Sequence, residues 1–175
     1  MANKIVLLAT IFILGIVNWS IIGKETHLAE GRIVYLELAP LDPRSLMQGD
    51  YMALRYKVAN AVHQALPKAD AYHGWRQAVD ASDGYVVVRL DARQVGAFKE
   101  LDNGQVLSED ELRLRFRVRS GEVKLATNAF FFQEGHAPYY ETAKYGQFRV
   151  DDKGELLLTA MVDNDLNRLG PEAME

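Results

Sequence analysis

No cysteine occurs anywhere in the 175 residues. That removes disulfides, thiolate zinc sites, iron–sulfur clusters and cysteine nucleophiles together, and leaves the redox compartment open. Histidine is scarce as well. His27, His63, His73 and His136 never fall at a metal-ligand spacing such as H-x-x-x-H, so each reads as an exposed or hydrogen-bonded side chain and no metal is expected. Nothing else points to a cofactor, and none is expected. An excess of positive charge is missing too. Lys4 and Lys24 are the only charged side chains before Glu25, so residues 25–175 carry 18 basic against 24 acidic residues, a net of −6. Nucleic-acid affinity rests on phosphate neutralisation, so nucleic acid is not an expected partner. Broad adhesion of the domain to an anionic bilayer surface is disfavoured for the same reason. Internal repeats, low-complexity tracts and long linkers are also lacking.

What is present begins with an uncharged run from Ile5 to Ile22, IVLLATIFILGIVNWSII. At about 1.5 Å per residue such a helix covers roughly 27 Å, close to the thickness of a hydrocarbon core. Lys4 bounds one end; Trp19 and Lys24 stand at the other, as interfacial anchors do. A cleaved signal peptide would want small residues at −3 and −1 just beyond the run. None stand out around residues 18–23, and the run is longer than a usual signal core, so the reading is an uncleaved anchor. Lys4 and the terminal amine place the N-terminus inside, hence the rest of the chain outside the cytoplasm. The expected organisation is an anchor over residues 1–24, one domain over 25–163 and a polar, frayed tail over 164–175.

The domain reads as mainly β or α+β, an antiparallel β-rich unit with short inserted helices behind one transmembrane helix. Residues 31–38 alternate with strand period. Residues 51–58 do the same, with Met52, Leu54, Tyr56 and Val58 on one face and Tyr51 on the other. A short helix is expected over 59–66, stopped by Pro67, and Tyr72, Trp75 and Val79 fit one helical face. Strands follow at 85–90, 95–101 and 111–119. The last, ELRLRFRVR, turns at Ser120–Gly121 into residues 122–126. A short helix over 138–145 and a hairpin of 147–151 with 155–162 complete the pattern.

Residues 49–56, Gly-Asp-Tyr-Met-Ala-Leu-Arg-Tyr, spell G-D-Y-x-x-L-x-Y. This resembles the bacterial family named for that motif, the GDYXXLXY proteins. The box Pro40-Leu41-Asp42-Pro43-Arg44 resembles the family's P-x-D-P-R stretch. Phe130-Phe131-Phe132-Gln133-Glu134-Gly135 resembles its aromatic-x-x-E-G segment, although Gln133 stands where the family often has proline. The resemblance spans about residues 31–162. It implies a membrane-anchored domain without an assigned reaction that accompanies multi-pass membrane proteins, and it singles out Pro43, Arg44, Gly49, Asp50, Tyr51, Leu54, Tyr56, Glu134 and Gly135. The motif also has a structural explanation. Gly49 suits a sharp entry into a strand, Asp50 can accept turn amides, and Leu54 and Tyr56 face the core. Tyr51, on the other face, covers a second layer or forms a recognition surface.

Candidate chemistry is thin. A signal-peptidase-like serine enzyme would place its nucleophile near Leu41; Ser45 is the nearest hydroxyl and is misplaced, and nothing marks Lys99 or Lys124 as its base. Asp50, Glu134 and Glu141 could serve acid–base hydrolysis only if they converge. A small-ligand sensor with an aromatic-lined pocket is a third class. The stripe Arg113, Arg115, Arg117, Arg119 is either a solvated face paired with neighbouring acids or a dock for an acidic partner loop. The expected role is a non-enzymatic accessory or interaction subunit, with the bilayer and a multi-pass membrane protein as partners.

Overall fold

The computed structural model describes residues 2–39, 47–48, 51–67, 72–73, 76–77 and 80–171. Helix α1, Ala2–Glu30, is 29 residues long, about 43 Å at 1.5 Å per residue. It is apolar on all sides and buries none of its apolar window against the rest of the chain; by length and composition it can cross a membrane. Trp19 is 83% exposed on it. The helix does not stop at the polar flank but continues through Lys24 to Glu30, straight into the domain.

Its end is fastened. His27 is buried; its Nε2–H donates to the Arg149 carbonyl at 2.9 Å, since a carbonyl can only accept. The Gly31 amide returns to the His27 carbonyl at 3.0 Å, and the Arg149 guanidinium donates to the Gly31 carbonyl at 2.9 Å. A Cβ on Gly31 would lie 2.5 Å from the His27 carbonyl oxygen, so this exit needs glycine.

Strand β1, Arg32–Glu37, buries Val34 and Leu36 while Ile33 and Tyr35 stay half-covered, as strand period requires. It sits inside a seven-stranded sheet ordered β12-β11-β1-β7-β6-β8-β9. The members are β6 (Asp83–Leu90), β7 (Val95–Leu101), β8 (Glu111–Arg119), β9 (Glu122–Lys124), β11 (Tyr145–Val150) and β12 (Leu156–Val162). Every pairing is antiparallel except β1 with β7. Ser120 and Gly121 both take positive φ, 54° and 74°, the primed two-residue turn whose twist suits a hairpin. Leu114, Phe116 and Val118 of β8 point inward against Val86, Val88, Val34, Leu36 and Phe148.

The stretch expected as one strand over 51–58 is divided. Strand β3, Tyr51–Ala53, ends early and belongs to a small sheet with β2 (Met47–Gln48) and β10 (Ala129–Phe131). The chain then crosses to the large sheet, where Tyr56 bridges Leu38, and helix α2 starts at Lys57 and runs to Ala65. Met52, Leu54, Tyr56 and Val58 are all buried. The alternation therefore held for burial but not for the ladder, because Val58, Ala59 and Val62 also satisfy helical spacing. Further on, β4 (Tyr72–His73) and β5 (Arg76–Gln77) pair antiparallel where a helical face had been expected; Trp75 and Val79 of that face lie outside the described residues. The helix expected over 138–145 is a single 3-10 turn, Ala137–Tyr140, since Tyr145 is already committed to β11. The described part of the tail expected to fray, residues 164–171, folds back instead: Arg168 bridges Val162, and the Leu169 amide reaches the Met161 carbonyl at 2.8 Å.

The large sheet curls until its two ends approach. The Arg115 amide of β8 donates to the Gly154 carbonyl, in the β11–β12 turn, at 2.8 Å. Gly154 has φ 74°, and a Cβ there would meet the Arg113 carbonyl oxygen at 2.8 Å, so the closure depends on this glycine. Beyond that contact, β12 and β9 remain separate end strands.

Candidate functional site

The motif splits into two destinations. Leu54 is buried, and its amide is held by the Asn128 carbonyl at 2.7 Å. Tyr56 is 2% exposed, packs edge-on to Phe148 with centroids 5.5 Å apart and donates its hydroxyl to the Thr127 carbonyl at 3.4 Å. Burial pushes its phenol well above the ordinary range. Tyr51 faces the other way. It is half-buried and lies opposite Phe131 across the β3–β10 ladder, with ring centroids 5.7 Å apart. Phe131 is 74% exposed. Phe130 and Phe132 turn inward against Tyr140, at 5.0 and 5.2 Å. The three consecutive phenylalanines are thus shared between core and surface, as alternation demands.

The structure brings parts of two resembling segments side by side, since β3 carries Tyr51–Ala53 of the motif and β10 carries Phe130 and Phe131. Glu134 is exposed in the turn after β10, and Gly135 there adopts φ 83°. Glu141, also exposed, follows the 3-10 turn. Pro43, Arg44, Gly49 and Asp50, like Leu41 and Ser45, lie outside the described residues. Lys99 is no depressed base. Its ammonium bonds Glu111 at 2.9 Å and Glu100 at 3.0 Å, and these carboxylates raise its pKa.

The arginine stripe is mostly consumed in ion pairs. Arg113 meets Asp102 at 2.9 Å. Arg115 meets Glu155 and, at 3.4 Å, Asp83; Arg119 meets Asp83 at 2.7 Å. On the same face Glu111 is sunk to 2% side-chain exposure between Lys99 and Arg89. Bonds from Lys99, Arg89 and the Ser108 amide hold its carboxyl down at about 2. Toward the end of β8 the balance changes. Arg117 is 52% exposed, and Glu155, at 3.8 Å, is its ion-pair partner among the described residues. Lys124 on β9 has none there.

These cations border an open groove of about 570 Å³. One wall is β8 and β9, with Arg115, Arg117, Arg119 and Lys124; the opposite wall is β12, at Leu156–Leu158; Phe130 and Phe131 close the third side. The groove is therefore the seam between the end strands of the curled sheet. Sequence reasoning singled out the arginines and the phenylalanines but had no means of joining them to β12. His27 is hydrogen-bonded, as its sequence reading allowed, but nothing in a lone histidine beside a membrane run signals that it forms a buried joint. Among the described residues, no cluster of three or more metal-ligating side chains occurs.

No curated protein and no solved structure matches the chain. The family model of the GDYXXLXY protein matches residues 13–161, most of the chain and nearly all of the elements just described, and the chain belongs to the GDYXXLXY family.

Proposed function

We propose that this protein is a single-pass, membrane-anchored interaction domain, working outside the cytoplasm as a non-enzymatic accessory subunit of an integral membrane assembly. The observation that carries this reading is α1, apolar on every side and continuous into the domain through His27 and Gly31. Such a helix suits a bilayer on all faces and holds the domain close to whatever else spans the same membrane. The charges supply a second support. Lys99, Arg113 and Arg119 are all engaged by carboxylates, which leaves them structural work rather than acid–base work.

The test is an affinity purification of the C-terminally tagged chain from gently solubilised membranes. A stoichiometric multi-pass partner is expected; a protein that runs alone in mild detergent removes the reading. Sidedness is checked separately. Because the chain has no cysteine, a single Val106→Cys change at a 96% exposed position gives a unique thiol. A membrane-impermeant maleimide should label it in intact cells, and labelling only after lysis would place the domain inside.

A further inference from the structure

We propose that the seam groove between β8–β9 and β12 is the docking site for an extended, acidic polypeptide segment of the partner protein, with Arg117 and Lys124 reading its carboxylates and Phe131 its apolar side chains. This rests on the accessory-subunit reading and deepens it by naming the surface and the chemistry it takes.

Three independent features meet there. The first is charge. Residues 25–175 carry a net of −6, yet the groove gathers Arg115, Arg117, Arg119 and Lys124 against Glu155 alone among its lining residues. The two most available cations sit together at one end. Arg117 is half-exposed with a loose 3.8 Å contact, and Lys124 has no partner among the described residues. A positive cleft on a negative domain favours a negatively charged segment over a positively charged one. The second is backbone. Within the large sheet β9 pairs with β8 and β12 with β11, and neither end strand pairs with the other. The tail occupies β12 only at Met161 and Val162. Along Leu156–Leu158, which lines the groove, no described residue pairs with the outer edge, and such an edge presents amides and carbonyls to an added strand, the usual way an extended peptide is held. The third is the apolar lip. Phe131 is 74% exposed and is steadied by Tyr51 at 5.7 Å. A pre-positioned ring of this kind makes a good anchor at low entropic cost. A cleft with a charged wall on one side and apolar residues on the others suits an extended chain, whose side chains alternate between two faces.

The test uses the full chain in detergent and a fluorescein-labelled peptide, Glu-Leu-Glu-Phe-Glu-Leu, followed by anisotropy, beside the same peptide with Lys in place of Glu. The acidic peptide should bind at low salt and weaken as salt rises. The Arg117→Glu/Lys124→Glu variant should lose about tenfold or more in affinity and should gain binding of the lysine peptide. Arg93→Glu, on the β6–β7 turn, should leave the affinity unchanged. Should the double charge reversal not fold, Arg117→Gln/Lys124→Gln is read in its place. Equal binding of the two peptides, no binding of the acidic one at low salt, or an affinity indifferent to the double variant overturns the proposal. So does preferential binding of vesicles containing anionic lipid at the same residues. Purification of the double variant from membranes separates the two readings. Loss of the partner supports the groove as its contact. Retention overturns the groove and leaves the accessory role standing. A wild-type chain that binds the acidic peptide but brings no membrane partner overturns the accessory role alone.

Discussion

Two sides of this domain treat the same residue types in opposite ways. On the closed side, around the start of β8 and the end of the motif, Tyr56 is enclosed against Phe148 and Glu111 is saturated by Lys99 and Arg89. On the groove side, Phe131 stands in solvent beside Tyr51, and among the described residues Arg117 has only the 3.8 Å contact to Glu155 and Lys124 has no ion pair. Aromatic rings and charges are therefore not intrinsically structural or functional in this fold. What separates the roles is whether the curl of the sheet has brought a partner to them. Stability should reside on the first side and recognition on the second.

That contrast can be broken at four points, in descending order of effect. Tyr56→Ala removes a buried ring and should cost about 3–5 kcal/mol; Tyr56→Phe, which loses a single long hydrogen bond, should cost about 1 kcal/mol or less. Denaturant midpoints of the two variants give the ratio, and similar values would mean that the ring does not carry the packing. Gly154→Ala forces a side chain onto φ 74° and against the Arg113 carbonyl, for about 1–3 kcal/mol. Exchange of the Arg115 amide should quicken at the same time, since its bond to Gly154 is the closing contact. Glu111 sharpens the comparison through pH. Its folded pKa of about 2 lies below the ordinary 4.5, so its contribution is complete above pH 4.5 and is lost as pH falls toward 2. The stability gap between wild type and Glu111→Gln should therefore shrink across that window, and a gap constant from pH 5 to 2 would contradict the pairing. Smallest of all, Arg117→Ala and Lys124→Ala should each stay within about 0.5 kcal/mol of wild type, read as melting temperature. A larger loss at either would move that residue to the structural side.

Much of this was legible beforehand where local pattern and tertiary role coincide. The β8 alternation, the Ser120–Gly121 turn and the β11–β12 hairpin are each decided by residues within a dozen positions of one another. β7 was placed with the same bounds. The misses share a cause. The end of β3 at Ala53 and the start of α2 at Lys57 depend on where Leu38 and Asn128 wait to receive the chain, which no local period encodes. β10 is three residues long, too short for alternation to register. The tail reads as polar yet is held through its backbone, by the Arg168 bridge and the Leu169 amide. For the groove, the stripe on β8 showed four arginines but not which acids would reach them. Asp83 and Glu155 arrive from 32 and 40 positions away, and their arrival decides that Arg115 is closely paired while Arg117 keeps only a 3.8 Å contact to Glu155 among the described residues.

The joint at His27 has a consequence for how the domain meets a partner. Gly23 to Glu30 continue the helix for about 12 Å past the last residue of the apolar run, and the chain then enters β1 through Gly31, held by two hydrogen bonds, with a third from His27 to the Arg149 carbonyl beside it. With α1 in a bilayer as proposed, the domain hangs on a stiff stalk instead of a loose leash. Its groove would sweep one height and one tilt above the lipid, rotating chiefly about the stalk. A search confined to that ring raises the effective concentration of any segment displayed at the same level, and it excludes segments displayed at another height, however well their charges match.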